Sequence, residues 1–234
     1  MTAAHHPLTS RRACTAALLF FLPGLAQAGA LEDVLARMDR SAGGFRGLTA
    51  KVRKVSYTAL VKESTEESGD FSVLRVKPKD MRILVEFTRP DPRAIAFQGK
   101  KVQVYYPKTL TVQEYDLGKQ GSLVDQFLLL GFGTPGSDLR KSYAIKYGGE
   151  ETINGVRTER LELTPTSAEA QKHVKLVEIW ISQPEGTTVQ QKVHQPSRDY
   201  VLFSYSDIKL NPRLTEDSVK LKLPKGVKKE TPLK

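Results

Sequence analysis

From residue 46 onward, apolar and polar residues alternate at period two, in runs that restart about every ten residues at a turn signal. The cleanest run places Met81, Ile83, Val85 and Phe87 on one face and Arg82, Glu86 and Thr88 on the other. Only an extended strand sends every second side chain to the same side, so a helical bundle is excluded over this stretch. Further runs fall at 94–98, 101–106, 111–115, 143–147, 155–163, 174–182, 187–193 and 199–205. Gly99-Lys100, Pro107-Lys108, Asn154-Gly155 and Pro184-Glu185-Gly186 separate several of them. Strands this short and evenly spaced favour an antiparallel sandwich or barrel. In 46–62, Leu48, Ala50 and Val52 alternate and the phase slips near Lys54-Val55, which reads as a β-bulge. Residues 63–70 read as a polar turn, 71–76 as the next strand and 219–223 as a last short one.

Three segments break the pattern. Leu31, Val34, Leu35, Met38 and Ala42 fall at helical spacing, with Glu32 and Asp33 in the first turn and Gly43-Gly44 as a stop. That stripe suits core packing or a helix over a ligand cavity. Residues 122–130 form a short helical run that is apolar nearly all round, carrying Leu123, Phe127 and Leu130, and Ser137 can cap a further turn. Residues 167–173 read as a helical or loop excursion.

The N-terminus reads as an export signal. Residues 1–28 hold no acidic residue, Arg11-Arg12 precede an apolar run over 13–25, and Ala26-Gln27-Ala28 supplies the small residues of a cleavage site. The run is shorter than the roughly 20 residues a membrane anchor needs. Cleavage after Ala28 is expected, leaving 29–234 as one domain in the periplasm. It would remove Cys14, the single cysteine, so the mature chain would fold without disulfides.

The full chain of 234 residues has a formal net charge of +10, and its mature part keeps 34 basic against 26 acidic residues, or +8. Export argues against nucleic acid as the partner of this charge. The lysines at 220, 222, 225, 228, 229 and 234 fit a solvated tail or attraction to anionic surfaces. Gly131-x-Gly133-x-x-Gly136 matches the dinucleotide fingerprint in letters only. It follows a helix-like run rather than a strand, and Pro135 removes a backbone donor. No nucleophile elbow is present, and His173 and His194 match no zinc spacing. No enzyme activity, metal or cofactor is expected.

A barrel of this size has a lumen, and a lumen not filled by side chains can hold a lipid under short apolar helices. Several short motifs then occur in order. The helix at 31–38 is followed by Phe45 and a long strand; Val76-Lys77-Pro78-x-x-Met81-Arg82 makes a basic–Pro turn. Gly99-Lys100-x-Val102-x-x-Tyr105-x-Pro107 makes a hairpin, and Leu161-x-Leu163-x-Pro165 and Leu223-Pro224-x-Gly226-Val227 follow. Together they resemble the LolA family of periplasmic carriers of outer-membrane lipoproteins.

The resemblance implies a mainly β fold with short helices: an incomplete, half-open antiparallel barrel under a helical lid. It implies an apolar cavity for acyl chains, an inner-membrane donor transporter and an outer-membrane acceptor. The cavity would be lined by Phe45, Phe71, Met81, Ile83, Val85, Phe87 and Val104 and covered by Leu35, Met38, Leu123, Phe127 and Leu130. In the family an Arg before the turn Pro latches the lid, and Lys77 stands at that place, without the planar fork. A monomer acting as carrier is expected. The alternative is an envelope sensor or scaffold of the same fold that detects mislocalised lipoproteins.

Overall fold

The computed structural model describes Met1 and residues 23–78, 80–118 and 130–232. Helix α1, Pro23–Gly44, precedes six strands: β1 Gly47–Thr58, β2 Glu63–Lys77, β3 Asp80–Arg89, β4 Arg93–Gln98, β5 Lys101–Tyr106 and β6 Thr111–Asp116. Helix α2, Gly136–Ser142, leads into β7 Tyr143–Ile153 and β8 Val156–Pro165. After helix α3, Ala168–Gln171, come β9 Leu176–Ser182, β10 Thr188–His194 and β11 Tyr200–Leu210, and β12 Lys228–Glu230 closes the series.

All twelve strands belong to one sheet, in the order β12-β6-β5-β4-β3-β2-β1-β11-β10-β9-β8-β7. It is two meanders joined where β1 pairs antiparallel with β11. The edge strands β7 and β12 are not paired with each other, so the barrel is half open, as expected. The seam is clasped by Asn211. Its side-chain oxygen accepts from Arg46 N at 2.7 Å and Gly47 N at 3.3 Å, and its amide donates to Gly44 O at 3.0 Å.

Two apolar clusters fill the concave side. In one, Val34, Leu35 and Met38 of α1 pack with Leu130, Leu139 and Tyr143 on Leu161, Leu163, Val177, Ile179 and Ile181 of β8 and β9. In the other, Phe45 and Phe132 pack on Leu48, Ala50, Val52, Phe71, Val73, Ile83, Val85, Phe87 and Tyr205. On the convex side, Val219 and Leu221 cover Leu74, Leu84 and Ala96. The buried stripe of α1 is the one its spacing indicates, and the helix extends back through Ala28 to Pro23. Cleavage after Ala28 would leave the whole buried stripe in place.

Four local expectations are corrected. The segment 63–70 is strand, not turn, because its charges are matched across the β1–β2 ladder: Lys51 with Asp70, Arg53 with Glu66, Lys54 with Glu67. The β1–β2 pairing runs without slip from Gly47↔Leu74 to Thr58↔Glu63. Residues 54–55 therefore hold no bulge; the irregularity lies opposite, in β11 at Asp207, where φ is 51°. Residues 216–219 form a 3-10 turn rather than part of a strand, and the last strand is Lys228–Glu230, parallel to β6. Ser137 does not cap α2 from the N-cap position, which Pro135 occupies; instead its N–H and hydroxyl both donate to Asp39 Oδ1 at 3.2 Å.

Candidate functional site

The concave face of β1–β5 is built in rows that follow from the strand register. One row runs Val102, Phe97, Ile83, Val73, Leu48, and the next runs Val104, Ile95, Val85, Phe71, Ala50. Period-two alternation makes this face continuous, because in-register pairing keeps the apolar phase of every strand on the same side. The β1 and β2 ends of these rows are buried under Phe45 and Phe132. Ile95, Phe97, Val104 and Met81, farther out, are only half-buried.

Phe132 wedges over this face. Its ring centroid is 5.5 Å from Phe71 and 4.9 Å edge-on from Tyr205. The glycines beside it permit the approach. Gly131 has φ 79°, and a Cβ there would stand 1.8 Å from Thr188 Oγ1, which donates to Leu130 O at 3.0 Å. A Cβ on Gly133, at φ 67°, would meet Phe45 at 2.5 Å and Arg75 at 2.6 Å. The Gly-x-Gly-x-x-Gly spacing thus serves close packing of a lid segment on the sheet, and among the described residues no βαβ unit surrounds it.

A cavity of about 420 Å³ opens beside this wedge, bounded by Asp39, Ala42 and Gly43 of α1, Arg75, Pro78, Met81, and residues 132–135 with Asp138. Arg75 spans its mouth. One guanidinium nitrogen donates to Ala42 O at 2.9 Å and another to Gly133 O at 2.5 Å, tying the end of α1 to the lid segment. The guanidinium lies 5.3 Å above the Phe45 ring. Burial pushes its pKa down from the ordinary value, and an arginine stays charged at any working pH.

The expected latch residue, Lys77, is exposed at the end of β2, and no hydrogen bond or ion pair among the described residues ties its side chain to a helix. The contacts of a latch are made by Arg75, two residues earlier on β2. The physical reason is register: the β2–β3 pairing shifts between Arg75, opposite Met81, and Lys77, opposite Asp80, so Lys77 leaves the inward face that Arg75 shares with Met81.

The expected lining is divided between the two clusters. Phe45, Phe71, Met81, Ile83, Val85 and Phe87 come together around Phe132. Leu35, Met38 and Leu130 pack instead against β8 and β9. Val104 continues the first group's row and is half-buried. Leu123 and Phe127 lie outside the described residues. The sequence reading passed over Phe132, Arg75 and Tyr205. Phe132 lies inside the Gly131-x-Gly133-x-x-Gly136 run, where the glycine spacing draws the eye, and Arg75 stands two residues from the position the family pattern indicates.

A second polar feature lies on the concave face at its opposite end. Lys54 continues the inward phase of Leu48, Ala50 and Val52, and pairs with Glu67 at 3.0 Å. Arg93 grips both oxygens of Glu67. Burial pushes the Glu67 carboxyl up, but hydrogen bonds from Arg93 and Lys54 outweigh it and leave its pKa lowered. Among the described residues, no group of three His, Asp or Glu side chains could hold a metal ion, and no helix is long and apolar enough to cross a membrane.

No protein-family model matches this chain, and no curated protein does. Solved structures do. An uncharacterized conserved protein from Thermus thermophilus aligns over 87% of this chain and 99% of its own, at 14% identity and TM-score 0.55. MucB aligns over 83% of this chain at 13% identity and TM-score 0.52, and this chain covers 63% of MucB. At these identities the likeness is one of fold alone: a half-open antiparallel sheet curled over helices.

Proposed function

We propose that this protein is an exported carrier that takes acyl chains of lipoproteins, or of related lipids, onto the concave face of β1–β5. It releases them when the lid segment at 131–135 lifts. The observation that carries this reading is the pairing of a continuous, partly uncovered apolar face with one arginine that bridges helix and lid at its mouth. An enzyme would need a convergent set of reactive groups. The mouth offers Asp39, which accepts from Ser137, Asp138, which accepts from Lys141, and a guanidinium already committed to carbonyls.

Binding would be hydrophobic, with about 0.8 kcal/mol for each buried CH₂. Two acyl chains would then hold tightly enough to need an active handover. The reading therefore includes a donor at the inner membrane and an acceptor at the outer membrane, with the carrier travelling as a monomer through the periplasm after cleavage following Ala28.

The test is mass spectrometry of lipids extracted from protein purified from its native host envelope. Acylated material at near-stoichiometric yield is the expected result. Protein that arrives lipid-free and takes up no acyl chain in vitro defeats the carrier reading. A second reading is an envelope sensor or scaffold of the same fold, in which the same face reports its occupancy to a protein partner. A soluble partner captured only by the lipid-loaded form would favour it.

A further inference from the structure

The concave face of β1–β5 is not apolar throughout: at the end away from Arg75 it carries a charged patch that is unbalanced. Lys54 and Arg93 share the single carboxylate of Glu67, and the nearby Asp91, whose charge Arg93 also meets, is already paired with Lys108, which leaves one positive charge in excess. Lys54, Glu67 and Arg93 are largely withdrawn from solvent, with side chains 22%, 12% and 23% exposed. The two cations stand over one aromatic ring. The Arg93 guanidinium is 4.8 Å and the Lys54 ammonium 5.9 Å from the centroid of Phe87, itself buried. The carboxylate does not exhaust their donors. Glu67 takes one N–H from Lys54 and one from each terminal nitrogen of Arg93, so two ammonium hydrogens, the Arg93 Nε–H and one N–H on each of its terminal nitrogens remain.

Position gives the patch its meaning. Arg93 is two residues from Ile95, so the half-buried apolar row Ile95–Val104 begins where the cations end. Lys54 is seven residues along β1 from Gly47, whose partner Leu74 adjoins the latch Arg75. That is roughly 23 Å at the rise of a strand. The face thus has an apolar middle, a latched mouth at one end and a net cation at the other.

A charge excess of this kind is costly to keep half-buried unless something of opposite sign meets it. A purely structural network would close with matched charges, as the convex Lys51–Asp70 and Arg53–Glu66 pairs do. We infer that Lys54 and Arg93 receive the anionic headgroup, phosphate or carboxylate, of an amphiphile whose acyl chain lies on the Ile95–Val104 row. The inference rests on the acyl-binding reading and narrows it to anionic amphiphiles.

The test compares three titrants by calorimetry on the full mature chain: monopalmitoyl lysophosphatidylglycerol, monopalmitoyl lysophosphatidylcholine and inorganic phosphate, the lipids below micelle-forming concentrations. The wild type should bind the glycerol lipid about tenfold or more tightly than the choline lipid, the scale of an added charge-assisted hydrogen bond. Lys54→Gln makes the cluster neutral while Arg93 still grips Glu67, and should erase that preference without weakening the choline lipid. Glu67→Gln raises the excess charge and should enlarge the preference. Lys51→Gln, on the convex side, should change neither. Equal affinities in the wild type, or a preference unmoved by both cluster variants, overturn the headgroup site while leaving acyl binding intact. Phosphate alone binding as tightly as the lipid makes this a free-anion site and overturns the amphiphile. Failure to bind either lipid overturns the acyl-binding reading itself.

Discussion

Replacing Arg75 with Met should loosen the lid without unfolding the sheet. The side chain makes two charge-assisted hydrogen bonds, to Ala42 O and Gly133 O, and a cation–π contact with Phe45. Hydrogen bonds of this type are worth about 1.5–3 kcal/mol each, and the ring contact about 0.5–1 kcal/mol. Against this stand the desolvation that Arg75 already bears and the partial rehydration of both carbonyls. A net loss of about 2–3 kcal/mol from lid closure follows. That multiplies the open population about 30- to 150-fold. Native-state hydrogen exchange followed by mass spectrometry reads it directly. The peptide covering 130–142 should exchange faster by that factor, while peptides from β8 and β9, whose cluster Arg75 does not touch, should keep wild-type rates. Unchanged exchange at 130–142 refutes the latch. Acceleration spread evenly over β8 and β9 would mean that Arg75 merely stabilises the whole fold.

Three further outcomes follow from named contacts. Gly69→Ala puts a Cβ 1.9 Å from Glu86 O on the neighbouring strand, whereas Gly99→Ala meets open space at φ 60°. At about 3 kcal/mol for the clash and about 1 kcal/mol for left-handed strain, the first should lower Tm by about 6–12 °C and the second by about 2–4 °C in thermal melts. Arg37→Met strands the Glu159 carboxylate, 7% exposed, at the α1–β8 contact; a loss of about 3–5 kcal/mol is expected in urea titration, and Arg37→Met/Glu159→Met should recover most of it. Acid should weaken the fold through Glu67 and Glu178. Burial pushes the Glu178 carboxyl up, while bonds from His194 and Arg160 outweigh it, so both pKa values are lowered in the folded protein. Their stabilisation is complete above the ordinary carboxylate value of about 4.3 and is lost as pH falls from there through the folded values, a trend that Glu67→Gln should flatten in acid denaturation curves.

The sheet was legible because burial on one face enforces alternation, and Met81–Phe87 shows it except at Leu84, which Val219 covers on the other face. The stripe of α1 was legible for the same reason at period 3.6. Segment 63–70 was not, since its polar residues look like a turn until the matching charges of β1 stand opposite them. Lys54 was misread as a slip in phase for a related reason. A strand that keeps its register while placing a lysine inside looks, in one dimension, like a strand that has shifted by one. The site was half legible. Its apolar rows followed from alternation, whereas Arg75 and Phe132 matter through segments 33 or more residues distant, and no local pattern records that.

The seam between β1 and β11 has a consequence for how such a chain reaches its final state. Strands β1 to β6 can zip into a meander as soon as they exist, and so can β7 to β11. The two ladders join only when residues some 150 positions apart find each other. Until the segment ending at Asn211 is present, β1 carries an unpaired edge and the apolar rows beside it lack their flanking strand. The Asn211 clasp is therefore a completion step. It fixes the end of α1, the start of β1 and the end of β11 in one set of hydrogen bonds, so a chain truncated before β11 would lack both the clasp and the ladder that joins the two half-sheets.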